Sequence, residues 1–199
     1  FVRCSVLHMS DMVDAVNPFS PSGPKMTALK PITTSLETKT LWSASVGKAG
    51  DYTFTPAVVG NAVYVAARDG TVNKLEDGKL VWKINAGQPL SAGVGASSRV
   101  VAVGTPKGEV LTFSATDGKQ LWQARVSSEV LAPPAVSDNA VAVKSGDNRV
   151  FLFDLNDGAR KWVYQRATPS LSLRNSAPPV FADSYIFVGF PGGKLAALG

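Results

Sequence analysis

Short apolar runs rich in β-branched residues recur along the chain, and glycine, proline, asparagine or aspartate bounds each of them. Runs of about four to eight such residues between turn residues are typical of β-strands. The recurring runs show no helical periodicity, so the pattern predicts an all-β chain built from antiparallel hairpins. We expect the clearest strands at 62–67, 71–76, 99–105, 109–115, 140–145, 149–155 and 185–190.

A 40-residue period organises these strands. The four tryptophans of the chain are Trp42, Trp82, Trp122 and Trp162. Each lies 40 residues from the next, and an Asp-Gly pair, a strong hairpin signal, precedes each of the last three. A shorter run near 56–60, 93–97, 134–138 or 179–183 opens each period, and the tryptophan lies in the last run. Four strands in about 40 residues are the signature of a β-propeller blade.

The repeat predicts a β-propeller with about three full four-stranded blades and part of a fourth, the N-terminal half of a larger ring. A β-sandwich would also suit the strand content, but it gives no reason for one tryptophan per period. We expect all four tryptophans to be structural, because a large flat side chain with an N–H donor suits the seam between twisted sheets.

The first part of the chain does not fit the repeat. Residues 1–38 contain Pro18, Pro21, Pro24 and Pro31, so we expect a proline-rich tether there, followed by the propeller portion at 39–199. A strand is expected at 39–46, as a fourth strand without a blade of its own.

Composition and charge exclude several classes of function. Hydrophobic residues make up 45% and charged residues 18% of the chain, which is globular composition, and no apolar run is long enough to cross a bilayer. The net charge is +5, but the basic residues are scattered, so no nucleic-acid interface is predicted. A single cysteine and a single histidine exclude a four-thiolate zinc site and a multi-histidine metal site. We find no catalytic constellation and predict no metal site.

One connection between blades is longer than the others. The segment from Trp162 to the next blade exceeds the equivalent segments that follow the earlier tryptophans, and it contains Leu171, Leu173 and Arg174. Insertions in repeat proteins map to loops on one face, often the binding face. On this pattern alone two interpretations stay open: the three residues contact a partner, or the two leucines pack back on the edge of the blade.

The repeat units resemble a known family. The segments LEDGKLVW, SATDGKQLW and DLNDGARKW are similar to the PQQ-like, Trp-docking repeat of quinoprotein dehydrogenases, a superfamily that also includes non-enzymatic scaffolds. The resemblance implies that an enzymatic member would carry a vicinal cysteine pair and a calcium site with acidic ligands. The chain has one cysteine, so we predict no enzyme and no cofactor. A quinone-dependent dehydrogenase-like propeller is the alternative.

A narrower resemblance covers residues 4–199. The segment PSLSLRNSAP at 169–178 resembles the protein-contact loop of the BamB family, lipoprotein propellers of the outer-membrane β-barrel assembly machinery; LWSASVG and KMTALKP resemble that family's first strand and tether. The resemblance implies a scaffold on the periplasmic face of the outer membrane that docks on the POTRA domains of the insertase BamA. It also implies contact with unfolded outer-membrane protein clients and no cofactor. A generic propeller adaptor with a different periplasmic partner is a further alternative.

Cys4 is the position at which the resemblance implies a lipid anchor to the membrane. The preceding residues, Phe1, Val2 and Arg3, differ from the small residues that usually precede a lipidated cysteine. An exposed free thiol in a flexible tail is the alternative.

Overall fold

The computed structural model describes residues 36, 38–167 and 176–199, which form four consecutive antiparallel sheets. The first three sheets have four strands each and the last has three, always paired in chain order. The strands are β1 (Ala57–Val59), β2 (Ala62–Ala66), β3 (Thr71–Glu76), β4 (Lys79–Asn85), β5 (Gly95–Ala96), β6 (Val100–Gly104), β7 (Glu109–Ser114), β8 (Gln120–Arg125), β9 (Ala135–Val136), β10 (Ala140–Lys144), β11 (Arg149–Asp154), β12 (Arg160–Gln165), β13 (Val180–Ala182), β14 (Tyr185–Phe190) and β15 (Lys194–Leu198).

The sheets are arranged as propeller blades. The first strands of successive sheets, β1, β5, β9 and β13, contact one another, so they lie nearest the common axis. The second strands of the middle sheets, β6 and β10, are buried along their whole length. The tryptophan-bearing strands β4, β8 and β12 alternate between exposed and partly covered residues, as expected at the outer rim. The predicted all-β propeller is therefore confirmed.

The hydrophobic core lies in the seams between blades. One cluster joins Tyr64 of the first blade to Phe113 of the second, and another joins Trp122 of the second blade to Phe153 of the third. A third cluster places Val150 against residues of the last sheet. Because each blade buries both faces against its neighbours, the alternation of small and large apolar residues in every period serves two seams at once.

A bulge precedes each tryptophan. The pairing of the third and fourth strands shifts register at the same place in each full blade, leaving Val81, Leu121 and Lys161 as extra residues immediately before the tryptophan. A bulge bends a strand and re-aims the following side chain. This irregularity directs the indole across the seam toward the next blade.

The Asp-Gly hairpins form as predicted, but in two versions. In the first blade Asp77 and Gly78 both have positive φ, 48° and 76°, which makes a two-residue turn between β3 and β4. In the second and third blades the loop is longer. There Asp117 and Asp157 accept backbone hydrogen bonds from Lys119 and Ala159, at 3.2 and 2.8 Å.

The strand predicted at 39–46 is not present in the described structure. A β-strand is defined by a partner that accepts its backbone hydrogen bonds, and none of the described strands pairs with this segment. The tryptophan that suggested a strand here does not supply a partner strand. The tether predicted at 1–38 lies almost entirely outside the described residues and stays a prediction.

Candidate functional site

Two of the tryptophans dock on the following blade in the same way. The indole nitrogen Nε1 of Trp82 donates to the carbonyl of Ala115 at 3.2 Å, and that of Trp122 donates to the carbonyl of Leu155 at 2.8 Å. Both acceptors lie at the end of the third strand of the next blade, just before its Asp-Gly pair. The indoles thus bridge successive blades through a polar contact inside an apolar seam.

A glycine of the next blade makes room for each docked indole. A Cβ atom added to Gly78, Gly118 or Gly158 would approach the ring of Trp42, Trp82 or Trp122 to within 2.7, 3.3 and 2.6 Å, respectively. Trp42 is 44% exposed, whereas Trp122 is 8% exposed. Trp162 is half-buried and packs on the third core cluster.

The connections between blades lie at one end of the sheets, which we call the connector end. It comprises the connectors 86–94 and 126–134, the described parts of a third connector at 166–167 and 176–179, and the turns 67–70, 105–108 and 145–148. Backbone hydrogen bonds join each of the first two connectors to the turn of its own blade: Leu90 donates to Arg68 at 3.0 Å, and Val130 donates to Thr105 at 3.1 Å.

The two shorter connectors are packing elements. Leu90 and Val130 are fully buried, and a Cβ atom on Gly104 would lie 2.3 Å from Val130, so the connector fills the space that this glycine leaves. The hydroxyl of Ser91 donates to the carbonyl of Val130 at 2.6 Å and ties the first connector to the second. Buried apolar residues of each short connector therefore close the end of a seam.

The third connector is the longest, and its central part, 168–175, lies outside the described residues. Leu171, Leu173 and Arg174 all belong to that part, and Cys4 likewise lies outside the described residues. Their predicted roles stay predictions.

The beginning of this connector is packed against the last sheet. The guanidinium of Arg166 lies 5.9 Å from the centre of the Phe190 ring, and the ring of Tyr164 lies 5.9 Å from the same ring. The ammonium of Lys144 lies 5.4 Å from it and donates to the carbonyl of Gly189 at 2.6 Å. Burial lowers the pKa of the Lys144 ammonium. Sequence reasoning missed this lysine, because it ends an apolar strand where exposure would be usual.

A carboxylate on the turn of the third blade, at the connector end, accepts several hydrogen bonds. Asp147 accepts from the hydroxyls of Ser145 and Ser127, the latter at 2.7 Å, and forms an ion pair with Arg149 at 3.3 Å. Burial alone would raise the pKa of Asp147, but the two hydroxyls and the nearby guanidinium outweigh it and the pKa is lowered.

The other turn aspartates also accept hydrogen bonds from residues of their own turns. Asp69 accepts from the backbone N–H of Thr71 at 2.9 Å, and this hydrogen bond is the main cause of its lowered pKa. Hydrogen bonds from Ser114 and Lys119 lower the pKa of Asp117 to about 2. Within the described ranges, no three His, Cys, Asp or Glu side chains are grouped as a metal site would require. These aspartate carboxylates and their hydrogen bonds stabilise the turns.

The described residues include no helix with the length and apolarity needed to cross a membrane.

Comparison with known proteins gives consistent matches. A family model described as outer membrane protein assembly factor BamB matches residues 68–199. The chain is 44% identical over 176 residues to the outer membrane protein assembly factor BamB of Burkholderia pseudomallei, covering 87% of this chain and 45% of that protein. It is 41% identical over 165 residues to the Bordetella pertussis protein of the same name, covering 82% and 42%.

A solved structure agrees with these matches. The crystal structure of BamB from Moraxella catarrhalis superposes with a TM-score of 0.69 and 28% identity, over 74% of this chain and 46% of that one. The chain spans about half the length of the curated relatives it matches.

Proposed function

The chain belongs to the BamB family of outer membrane protein assembly factors, and from this we propose that it is a non-enzymatic scaffold of the β-barrel assembly machinery. In this proposal the propeller binds the periplasmic POTRA region of the insertase BamA and thereby aids the insertion of outer-membrane proteins. Family membership assigns the chain to the periplasmic face of the outer membrane.

The length of the third connector is the observation that carries the docking proposal. The connectors 86–94 and 126–134 close the ends of their seams with buried apolar residues, and they do so with fewer residues than 166–179 contains. A connector that exceeds the length needed for packing has residues left to present to solvent, and surface loops on a rigid scaffold are where binding residues concentrate.

The residues in the additional length of the third connector are of types suited to contact with a partner protein. Leu171 and Leu173 would supply apolar area to a partner's surface, and Arg174 would supply a charged multi-donor group, a residue type enriched at interface hot spots. The contacts of Arg166 and Tyr164 with Phe190 support the proposal, because they hold the N-terminal end of the connector against the last sheet.

The scaffold would hold the partner's periplasmic domains in one orientation. The blades are suited to that role, since their seams are packed and the first two seams are each bridged by an indole hydrogen bond, which stiffens the sheets relative to their connectors. Unfolded client chains are a further proposed contact, through the free edges of the outer strands β4, β8 and β12. Cys4 is the proposed lipid attachment site.

The state of the carboxylates supports a non-enzymatic role. Asp69, Asp117 and Asp147 each accept hydrogen bonds from residues of their own turns, or from a neighbouring serine, and their pKa values are lowered. A general acid or base near neutral pH needs the opposite shift. These three carboxylates serve to stabilise the turns in which they lie.

We expect the combined substitution Leu171→Asp, Leu173→Asp and Arg174→Glu to weaken capture of the purified BamA POTRA region at least about tenfold. The change removes the apolar contact and reverses the charge of the donor. Binding is measured by titrating immobilised protein with the POTRA region, and far-UV circular dichroism checks that the fold is retained.

The matched control is Leu121→Asp, the same change at a 47% exposed leucine on the outer strand β8. It should leave capture unchanged. Equal affinity of the connector variant and the unmodified protein would mean that the family's partner docks elsewhere or that the propeller serves another partner.

A further inference from the structure

A groove at the outer rim, in the seam between the second and third blades, is lined by three arginines. The groove has a volume of about 470 Å³, and Arg125, Arg149 and Arg160 contribute to its wall. Val126, Phe151 and Val163 form apolar parts of the same wall. We call this the arginine groove; its remaining lining residues, Ser127 and Gln165, are polar and uncharged, so no carboxylate among the described residues lines it.

The repeat shows that the fold does not require these arginines. The positions 40 residues earlier, in the seam between the first and second blades, are occupied by Asn85, Glu109 and Gln120. The equivalent strands β7 and β8 form and pair in the same register as β11 and β12. The concentration of positive charge is therefore particular to one seam and has no structural necessity.

Few negative groups offset this charge. Arg149 pairs with Asp147 at 3.3 Å, and the oxygens of that carboxylate also accept from Ser127 and Ser145. In the part of the chain that the structure describes, neither Arg125 nor Arg160 forms an ion pair. Among the described residues, Asp147 thus offsets only Arg149, and the groove keeps a net positive charge.

We propose that the arginine groove binds a phosphate group. Guanidinium groups present several N–H donors in a planar fork, and they bind phosphate oxygens with paired hydrogen bonds. A phosphate has enough oxygens to accept from more than one guanidinium at once, whereas a single carboxylate is satisfied by one fork. Lining by three arginines therefore fits phosphate better than carboxylate.

Two sources can supply this chemistry: a free phosphate, or the phosphate of an anionic lipid headgroup. The inference is independent of the docking proposal, because none of the described residues of the third connector lines the arginine groove.

The test uses substitutions that the repeat itself supplies. The double variant Arg125→Asn and Arg160→Gln places in the seam between the second and third blades the residues found 40 positions earlier, so the blade should fold normally. One arm titrates the protein with inorganic phosphate and follows backbone amide shifts by NMR. The other arm measures co-sedimentation with phosphatidylglycerol vesicles at low and at high salt, because such binding is screened by ions.

A matched control removes the same number of positive charges from another blade: Lys79→Asn with Lys83→Gln on β4. We expect the arginine variant to lose at least about tenfold in affinity while the lysine control retains it. Loss in the phosphate arm identifies a free phosphate, and loss in the vesicle arm alone identifies a headgroup. The proposal is overturned if neither probe binds the unmodified protein, or if both variants weaken binding equally.

The docking proposal gives a separate readout. The arginine variant should capture the POTRA region with unchanged affinity, so failure of either proposal is distinguishable from failure of the other.

Discussion

Replacing Trp122 by alanine is expected to lower the free energy of unfolding by about 3–5 kcal/mol. The side chain is 8% exposed, its ring lies 6.0 Å from that of Phe153, and its N–H donates to Leu155 across the seam. The substitution removes the indole from the seam, leaves a cavity lined by apolar residues, and leaves a buried carbonyl without its donor. All three effects destabilise.

Trp42→Ala is the matched control, because Trp42 occupies the same place in the repeat but is 44% exposed. Its cost should be less than about 2 kcal/mol. Urea unfolding followed by far-UV circular dichroism avoids a signal that depends on the deleted indole. Equal costs at the two positions would show that the seam does not depend on a docked tryptophan.

Substituting alanine for Gly158 is the second change with a large expected effect. Gly158 has a φ of +72°, and a Cβ atom there would lie 2.6 Å from carbons of the Trp122 ring. Positive φ costs an alanine about 1–2 kcal/mol, and forcing a methyl group into a packed seam costs about 1–3 kcal/mol more. The free energy of unfolding should fall by the sum of both.

Gly60→Ala separates the two causes. Gly60 has a φ of +60°, but an added Cβ atom would meet nothing within 4 Å, so only the backbone cost applies. The Gly158 variant should therefore be less stable than the Gly60 variant in the same urea experiment. If the two are equally stable, the indole does not press on the glycine as the structure describes.

The sequence was sufficient to predict most strands, because buried strands between turns carry a strong local signal. The strands β3 and β14 have the predicted bounds. The first strands are shorter than predicted: β5 and β9 span two residues each. These strands lie nearest the axis, where only part of each predicted run finds a partner, and a hydrophobic pattern carries no information on where pairing stops.

The error at 39–46 has a related cause. A local sequence pattern indicates which residues are suited to a β-strand. Strand pairing also needs a second strand, and the segment itself carries no information on that partner. The register shifts before the tryptophans escaped prediction for the same reason, since they appear only when β11 is aligned with β12 and its equivalents.

The candidate sites also differ in whether the sequence alone could reveal them. The overlong connector was detectable because it interrupts a period, and Leu171, Leu173 and Arg174 were identified by that interruption and by family resemblance. Lys144 and the arginine groove were not detectable, because their significance depends on a neighbouring blade. Arg125 and Arg160 are distant in sequence and line one cavity only after two blades pack together.

The affinity of a connector-swap variant for the BamA POTRA region tests the central claim most directly. The swap replaces residues 166–179 with the sequence of 126–134, which ends in the same Ala-Pro-Pro and closes its own seam. We expect the swap to give a folded propeller with at least about tenfold weaker binding. A folded variant that binds as tightly as the unmodified protein would show that the third connector is not the docking element.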